Sequence, residues 1–183
     1  MVFLYGEGQF PAYRAALAKI GQPSRISQDL TAATACNGLL LPGGGDIFRE
    51  LDPCEIAVID YFVTRRRPIL GICRGMQALN IYFGGTLYDC IPNHQAPHGD
   101  ISHPTHAAGR IAALLGEFPT VNSNHHQAIN DLGQGLTACQ WAPDTVVEAI
   151  QQETLPILGV QWHPERWETG EAIFRWFGTE LGR

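Results

Sequence analysis

Paired cysteines, long apolar runs and an excess of positive charge are the features that this sequence lacks. Its five cysteines are dispersed and no two form a C-x-x-C pair, which argues against a disulfide framework or a cysteine zinc site. No run of about 18 apolar residues occurs, and residues 1–10 carry no basic segment followed by a long apolar one. We therefore expect a soluble, cytoplasmic protein that does not bind membranes.

Charged residues are scarce, and acidic residues outnumber basic ones. They make up 16% of the chain, with a net charge of −6 at pH 7, whereas about 25% is usual for globular proteins. Negative charge opposes attraction to phosphates, so nucleic acid is not expected as a partner. The weakly charged surface is compatible with a homodimer interface, which the sequence leaves open.

Size and hydrophobicity indicate a single globular unit. The chain has 183 residues, of which 45% are hydrophobic, and it contains no internal repeat or low-complexity linker. Cores of about 100–200 residues normally form one domain, so we expect one domain over residues 1–183.

Strand and helix patterns alternate along the chain and predict an α/β fold. Because buried strands followed by helices form parallel sheets, we expect a mostly parallel central sheet with helices on both faces. Strands are predicted at residues 2–5, 38–41, 69–72, 119–123, 136–140, 146–151 and 157–162. Helices are predicted at residues 11–20, 53–67 (capped by Asp52), 74–83 and 168–181.

Residues 71–75 form a G-x-C-x-G motif between a predicted strand and a predicted helix. This spacing is typical of a nucleophile elbow, in which small flanking residues permit a sharp turn that lifts the nucleophile above the sheet. The helix N-terminus favours negative charge at Cys73, as a reactive thiolate requires. The alternative is a buried, inert cysteine, the state that we expect for Cys36 and Cys139.

A second motif, residues 159–165, follows the last predicted strand. Pro164 biases His163 toward an extended backbone, so His163 and Glu165 are expected to project to the same side. A carboxylate placed there would hold the imidazole as the orienting acid of a triad does. Taken alone, the motif also fits a surface His-Pro turn.

A third motif, residues 39–46, runs from a strand into a triple-glycine turn. Glycine lets backbone N–H groups approach a substrate and point at developing negative charge, as an oxyanion site requires. An ordinary left-handed turn explains the glycines equally well when they are considered alone. The neighbouring motifs favour the oxyanion interpretation.

Five segments together resemble the γ-glutamyl-γ-aminobutyrate hydrolase group (peptidase C26) of the class I glutamine amidotransferase-like proteins. They occur in the family's order, between about residues 38 and 165, and comprise residues 41–46, 68–77, 84–87, 121–127 and 159–165. The resemblance implies a flavodoxin-like three-layer sandwich. It further implies hydrolysis of γ-glutamyl amide bonds in small molecules by a Cys-His-Glu triad, without metal or cofactor.

Residue roles follow from the same resemblance. Cys73 is expected to be the nucleophile, His163 the general base and acid, and Glu165 its orienter. The backbone N–H groups of Gly44 and Arg74 are expected to form the oxyanion hole. Candidate substrate contacts are Gly43, Gly45, Gln77, His125 and His126, and for the two histidines a purely structural role is an equal alternative.

This sequence departs from the family pattern at two kinds of place. The segments before Pro42 and between Asp46 and Pro68 look shorter than usual, which puts the leaving group in doubt. Thr145 stands where a glycine usually follows the aspartate of its turn.

Histidines are frequent in a stretch rich in proline and glycine, at His94, His98, His103 and His106. No acidic or cysteine ligands recur there at a zinc-site spacing, so we interpret them as loop residues and predict no metal site.

Two other functions remain open. A glutaminase subunit would use the same triad and pass ammonia to a partner synthetase. A non-catalytic binding module would not need an intact triad on an elbow.

Overall fold

The computed structural model describes residues 1–183, and strands dominate its centre. The strands are β1 (Val2–Tyr5), β2 (Ser24–Ser27), β3 (Gly38–Leu41), β4 (Ile69–Ile72), β5 (Leu87–Tyr88), β6 (Ile101–Pro104), β7 (His106–Ala107), β8 (Thr120–Ser123), β9 (Ala128–Ile129), β10 (Leu136–Trp141), β11 (Val147–Gln152) and β12 (Ile157–Val160).

Six helices connect these strands. They are α1 (Pro11–Lys19), α2 (Leu30–Ala33), α3 (Pro53–Thr64), α4 (Arg74–Tyr82), α5 (Gly109–Leu115) and α6 (Glu171–Leu181). The start of α3 is the one predicted: the Asp52 carboxylate accepts a hydrogen bond from the Cys54 N–H at 2.7 Å, and Pro53 occupies the first helical position. No helix combines the length and the hydrophobicity that a membrane span requires.

An eight-stranded sheet forms the middle layer, in the order β2-β1-β3-β4-β12-β11-β10-β7. The first five strands in this order, β2, β1, β3, β4 and β12, run parallel to one another. The last three, β11, β10 and β7, add an antiparallel extension. Two further pairs, β5 with β9 and β6 with β8, form small antiparallel ribbons. The prediction of a mostly parallel α/β sheet is confirmed.

Each face of the sheet carries its own hydrophobic core. Because side chains alternate along a strand, Val2 and Leu4 of β1 point into the core under α1, α5 and α6. Phe3 and Tyr5 point into the opposite core, under α2, α3 and α4. The parallel strands are therefore buried on both faces, which is why they read as continuous apolar runs.

Element ends differ from the predictions where local bonding decides them. Helix α3 ends at Thr64 rather than Arg67, because Arg66 adopts a positive φ of 53° and leaves the helix. The residues predicted as the first turn of the last helix, Glu168–Gly170, form a separate 3₁₀ turn. Strand β12 ends at Val160, which places the His163 motif in the loop beyond it.

Candidate active site

Cys73 lies on a strained turn between β4 and α4. Its φ of 52° and ψ of −109° fall in a region that residues with a side chain rarely adopt. The flanking glycines make the turn possible, since a Cβ on Gly75 would lie 2.1 Å from the Leu41 carbonyl oxygen. A Cβ on Gly71 would similarly lie 2.6 Å from the Gly75 oxygen. The G-x-C-x-G spacing therefore has the structural reason that the sequence suggested.

His163 lies beside Cys73 because β12 pairs directly with β4. The two strands are parallel, with Val160 opposite Ile72, so the loops that follow them leave the sheet at the same edge. The His163 backbone is held from both sides by Asn122, whose side-chain oxygen accepts from the His163 N–H at 3.1 Å. The Asn122 amide also donates to the His163 carbonyl at 3.2 Å.

Glu165 orients the His163 ring. The Nδ1 of His163 lies 2.8 Å from Oε1 of Glu165, whose side chain is 2% exposed. A carboxylate at Nδ1 places the proton on that nitrogen and directs Nε2 away from it. The predicted contact between Glu165 and the His163 imidazole is thus present as a hydrogen bond.

The surroundings of His163 stabilise its protonated form. Burial pulls the pKa of His163 down, but hydrogen bonds and charge interactions with Cys73 and Glu165 outweigh it and raise the pKa from 6.5 to about 9. An imidazolium at neutral pH can donate a proton to a departing amine.

The triple-glycine loop after β3 packs against this pair. A Cβ at Gly43 would lie 2.9 Å from Cε1 of His163 and 3.6 Å from the Cys73 Cβ, so glycine is required there. The Gly43 N–H donates to the Tyr13 hydroxyl at 2.9 Å. The N–H groups of Gly44 and Arg74 find no acceptor among the loop, turn and side-chain groups of the chain. They have the free donors that an oxyanion site needs.

Tyr13 and Glu55 support the loop, and the sequence motifs do not reveal either of them. Burial, followed by the Glu165 charge, raises the pKa of the Tyr13 hydroxyl far above its usual range, so Tyr13 stays neutral. Glu55 is buried and binds the Arg74 guanidinium through both oxygens, one of these contacts being 2.8 Å. Arg74 is thereby held against Gly44, whose Cβ would lie 3.1 Å from the arginine Cδ.

A depression of about 300 Å³ lies on the outer side of the glycine loop. Gly43, Gly44 and Gly45 line it together with Arg74 and Glu55. Gly43 and Gly45, the two glycines predicted to contact the substrate, thus lie at an accessible surface.

The other candidate substrate contacts divide. Gln77 is buried, and its amide donates to the Gln127 carbonyl at 3.0 Å and to the Gln161 side chain at 3.1 Å. His125 is buried as well, with Nδ1 2.9 Å from the same Gln127 carbonyl. Only His126 reaches the surface, where its Nε2 lies 3.0 Å from Asp46, directly after the glycines. None of the three lines the depression, and neither do Cys73 and His163.

The histidines interpreted as loop residues also divide. His98 and His106 are exposed, whereas His94 is buried and His103 is largely so. Both inner rings turn toward the buried carboxylate of Glu148, which no sequence motif singled out. His94 lies in a loop, as predicted, whereas the loop interpretation is wrong for His103, which lies in strand β6. The sequence did not reveal that the two rings meet, because spacing along the chain does not show which segments the fold brings together.

Comparison with known proteins agrees with the five motifs. The sequence profile of the family described as Peptidase C26 matches residues 27–165. The chain belongs to the Peptidase C26 family. This match confirms the resemblance inferred from the sequence.

The chain is similar to two bacterial proteins. The chain is 43% identical over 163 residues to YvdE, a glutamine amidotransferase-like protein of Lactococcus lactis, covering 74% of this chain and 69% of that protein. It is 34% identical over 185 residues to the γ-glutamyl-γ-aminobutyrate hydrolase of Escherichia coli O157:H7, covering 83% and 71%. Among further curated relatives the chain spans from 41% to 74% of their length.

A solved structure shares the fold of this Peptidase C26 chain. It is that of a Thermoplasma acidophilum protein described as a GMP synthase subunit, with a TM-score of 0.82 and 24% identity. The match covers 100% of this chain and 94% of that one. At this identity the likeness establishes the α/β fold alone.

Proposed function

We propose that this chain is a cysteine-dependent hydrolase that cleaves γ-glutamyl amide bonds of small molecules through a γ-glutamyl thioester on Cys73. The observation that carries the proposal is the strained Cys73 at the start of α4, beside a His163 that Glu165 orients at 2.8 Å. A relative named γ-glutamyl-γ-aminobutyrate hydrolase supports the choice of bond.

Acylation uses the thiolate and the imidazolium. The Cys73 sulfur forms a bond to the γ-carbonyl carbon, and the carbonyl electron pair moves onto oxygen. The N–H groups of Gly44 and Arg74 stabilise this oxyanion, each by ~3–4 kcal/mol. His163 then donates its Nε2 proton to the amine, the C–N bond breaks, and a thioester remains.

Deacylation uses the same histidine as a base. Neutral His163 takes a proton from water through Nε2, and the hydroxide oxygen attacks the thioester carbonyl. The C–S bond breaks, the sulfur leaves as thiolate, and glutamate is released. Because Glu165 holds Nδ1 throughout, Nε2 stays directed at the reacting atoms.

Arg74 is our candidate for the group that recognises the substrate α-carboxylate. It lines the depression beside the glycines, and its guanidinium has five N–H donors, more than the contacts with Glu55 use. A buried carboxylate partner keeps the guanidinium in place, so that little rotamer entropy is lost on binding.

Linkage specificity tests the proposal. We expect the purified chain to release amine from γ-glutamyl amides and almost none from matched α-glutamyl amides, a difference of about 10⁴-fold or more. The physical reason is that an α-linked substrate presents the wrong carbonyl and leaves a charge-recognising group unpaired. Cys73→Ala should lower γ-glutamyl hydrolysis by about 10⁵-fold, as removal of a triad nucleophile does. Comparable kcat/KM values for the two linkages would contradict the γ-glutamyl assignment.

Relatives named glutamine amidotransferase-like favour a second candidate, a glutaminase that supplies ammonia to a synthetase. The two activities separate in one assay, in which glutamine and larger γ-glutamyl amides compete on the isolated chain. The hydrolase proposal expects turnover of the larger amides without any partner. Turnover of glutamine alone, slow until a synthetase is added, would favour the glutaminase.

A further inference from the structure

Four side chains meet in the interior away from Cys73, and we call them the histidine–glutamate cluster: His94, His103, His125 and Glu148. They come from four separate segments: the loop after β5, strand β6, the loop after β8, and strand β11. Glu148 is fully buried, the His94 and His125 side chains are 2–3% exposed, and that of His103 is 15% exposed. The proposed hydrolysis uses none of these four.

The three rings converge on one carboxylate oxygen. Oε1 of Glu148 lies 3.3 Å from His94 Nδ1, 3.5 Å from His103 Nε2 and 3.6 Å from His125 Nε2. These separations are too long for good hydrogen bonds. These three edges, which share Oε1, are close to the ligand–ligand edges of about 3.3–3.6 Å in a tetrahedron with metal–ligand distances of about 2.0–2.2 Å. The ligand atoms of His94, His125 and Glu148 all lie within 4.8 Å of one another, so the rings would close slightly around an ion.

The far nitrogen of every ring has an acceptor of its own. His94 Nε2 lies 3.0 Å from the Asp144 carboxylate, and His125 Nδ1 lies 2.9 Å from the Gln127 carbonyl. His103 Nδ1 lies 3.2 Å from the Pro104 carbonyl. Each acceptor favours a proton on the far nitrogen and leaves a lone pair on the nitrogen that faces Glu148. Metal-binding histidines are oriented in this way.

Without a cation the inner atoms are poorly satisfied. Both carboxylate oxygens of Glu148 and the Nε2 atoms of His103 and His125 have no hydrogen-bond partner, although all are buried. A buried carboxylate facing lone pairs is strongly unfavourable unless positive charge lies between them.

We propose that the histidine–glutamate cluster binds one divalent transition-metal ion of the zinc type. Three imidazole nitrogens and one carboxylate oxygen are borderline donors that suit zinc in tetrahedral geometry. His94, His125 and Glu148 form the tight group of ligand atoms, and His103, 3.5 Å from the same Glu148 oxygen, would move closer to complete a closed tetrahedron. Such closed sites are structural, so the ion joins four segments of chain rather than taking part in hydrolysis.

One of these segments leads to the active site. Ser123 at the end of β8 donates to the His94 carbonyl at 2.8 Å, and its neighbour Asn122 holds the His163 backbone. An ion that fixes the His94 loop and His125 therefore also fixes the strand that carries Asn122. Its loss should loosen His163 without touching Cys73.

Metal content is the direct test, and it needs no substrate. The chain is produced without a polyhistidine tag, and elemental analysis should find about one zinc per chain. After removal of metal with a chelator, Zn²⁺ titration should restore one site, and Co²⁺ should give the visible absorption of a tetrahedral complex. Cys73→Ala should retain the metal, which separates this site from adventitious binding to the reactive thiol and from any failure of the proposed hydrolysis.

Matched variants locate the site. Glu148→Gln and His125→Asn should lose the metal, while His98→Asn and His106→Asn, on exposed histidines of the same stretch, should keep it. Asp144→Asn alters only an outer partner that is 49% exposed, so folding should be unaffected while zinc affinity falls about 10–100-fold.

A protonated cluster is the competing outcome. A proton on His94 would neutralise Glu148, and although burial lowers the pKa of His94, its bonds to Glu148 and Asp144 raise it overall. One such proton would still leave His103 and His125 without partners. Metal-free protein that binds neither Zn²⁺ nor Co²⁺ at micromolar concentration would overturn the proposal. Zinc that survives Glu148→Gln would overturn it as well.

Discussion

Two regions of this molecule pair imidazole with a buried carboxylate, and they do so in opposite ways. At the proposed catalytic edge, which comprises Cys73, His163, Glu165 and loop residues 42–45, one ring meets one carboxylate at 2.8 Å. In the histidine–glutamate cluster, three rings face one carboxylate oxygen at 3.3–3.6 Å. The short contact is a hydrogen bond that directs a proton, whereas the longer separations suit a shared cation.

The regions also differ in what surrounds the carboxylate. Glu165 has a ring nitrogen on Oε1 and the Arg166 guanidinium 3.6 Å away, and only its Oε2 is without a hydrogen-bond partner. Glu148 has no hydrogen-bond partner on either oxygen. The comparison indicates that His163 can gain and lose a proton while Glu165 fixes the orientation of its ring. In the proposed metal site, both the protonation state and the orientation of the rings would be fixed. Experiments that perturb one region while monitoring the other test this difference.

The largest effect that sharpens the contrast is expected for Glu165→Gln. The amide keeps the shape of the side chain but loses the charge and favours the wrong ring tautomer, so kcat should fall by about 10³–10⁴-fold. KM, the folded structure and the metal content should stay nearly unchanged. Steady-state kinetics on a γ-glutamyl amide measure the effect, and an unaltered kcat would remove Glu165 from the triad.

The same variant alters how stability depends on pH. The folded-state pKa of His163 is about 9, above its ordinary 6.5, so its stabilisation is complete below pH 6.5 and is lost as the pH rises through 9. The loss should reach about 3 kcal/mol in the parent chain and less in Glu165→Gln. Denaturant unfolding at several pH values in this window tests the sign; equal pH dependence in both proteins would contradict the assigned contact.

Thiol labelling should separate Cys73 from cysteines that are merely accessible. Cys73 is 7% exposed, while Cys54 and Cys90 are exposed on the surface. If Cys73 is an activated nucleophile, iodoacetamide should modify it first, about 10-fold faster or more, despite its burial. Mass spectrometry after limited alkylation reads this out, with buried Cys36 and Cys139 as unreactive references. Labelling in order of exposure would contradict a reactive Cys73.

A smaller effect is expected at the link between the two regions. Asn122→Ala removes both hydrogen bonds that hold the His163 backbone, at 3.1 and 3.2 Å. We expect kcat to fall about 10-fold and the free energy of unfolding to fall by about 1–3 kcal/mol, because two backbone groups lose their buried partner. The Asn122 amide also donates to Asp100 at 2.8 Å; of the three Asn122 bonds, Asp100→Ala removes only this third one, leaves both contacts with His163 and should retain more activity than Asn122→Ala. Equal kinetics in both variants would argue against positioning.

The smallest effect concerns a residue remote from the catalytic edge. Thr145 adopts a φ of 72°, an unfavourable conformation for a β-branched side chain. Thr145→Gly should relieve about 1 kcal/mol of strain and raise Tm by about 2–4 °C. Glycine also increases the entropy of the unfolded chain, which offsets part of this gain. Calorimetry gives the shift, and activity should not change. A lower Tm would show that the threonine has a compensating contact.

Local features were predictable because neighbouring residues encode them. The turn at Cys73 needs small residues on both sides, and the contact between His163 and Glu165 spans only two positions. Pro164–Arg166 form a 3₁₀ turn rather than the extended segment that was predicted. The buried strands and the helix cap at Asp52 likewise depend on a few neighbouring residues. The short strands β5, β7 and β9 were not predicted, since two-residue pairings depend on a partner rather than on their own sequence.

The amino-acid sequence by itself determined the order of the longer strands and helices, the family, and the three motifs at the sheet edge, because each depends on contacts within a few residues. It did not reveal β2, β6, α2 and α5. Only the tertiary structure decided which distant groups support them. Asn122 holds His163 from 41 positions away, Tyr13 binds Gly43 across 30, and Glu55 binds Arg74 across 19. The histidine–glutamate cluster likewise draws on four segments of chain. Such contacts follow from strand register and burial, and no periodicity along the chain records them.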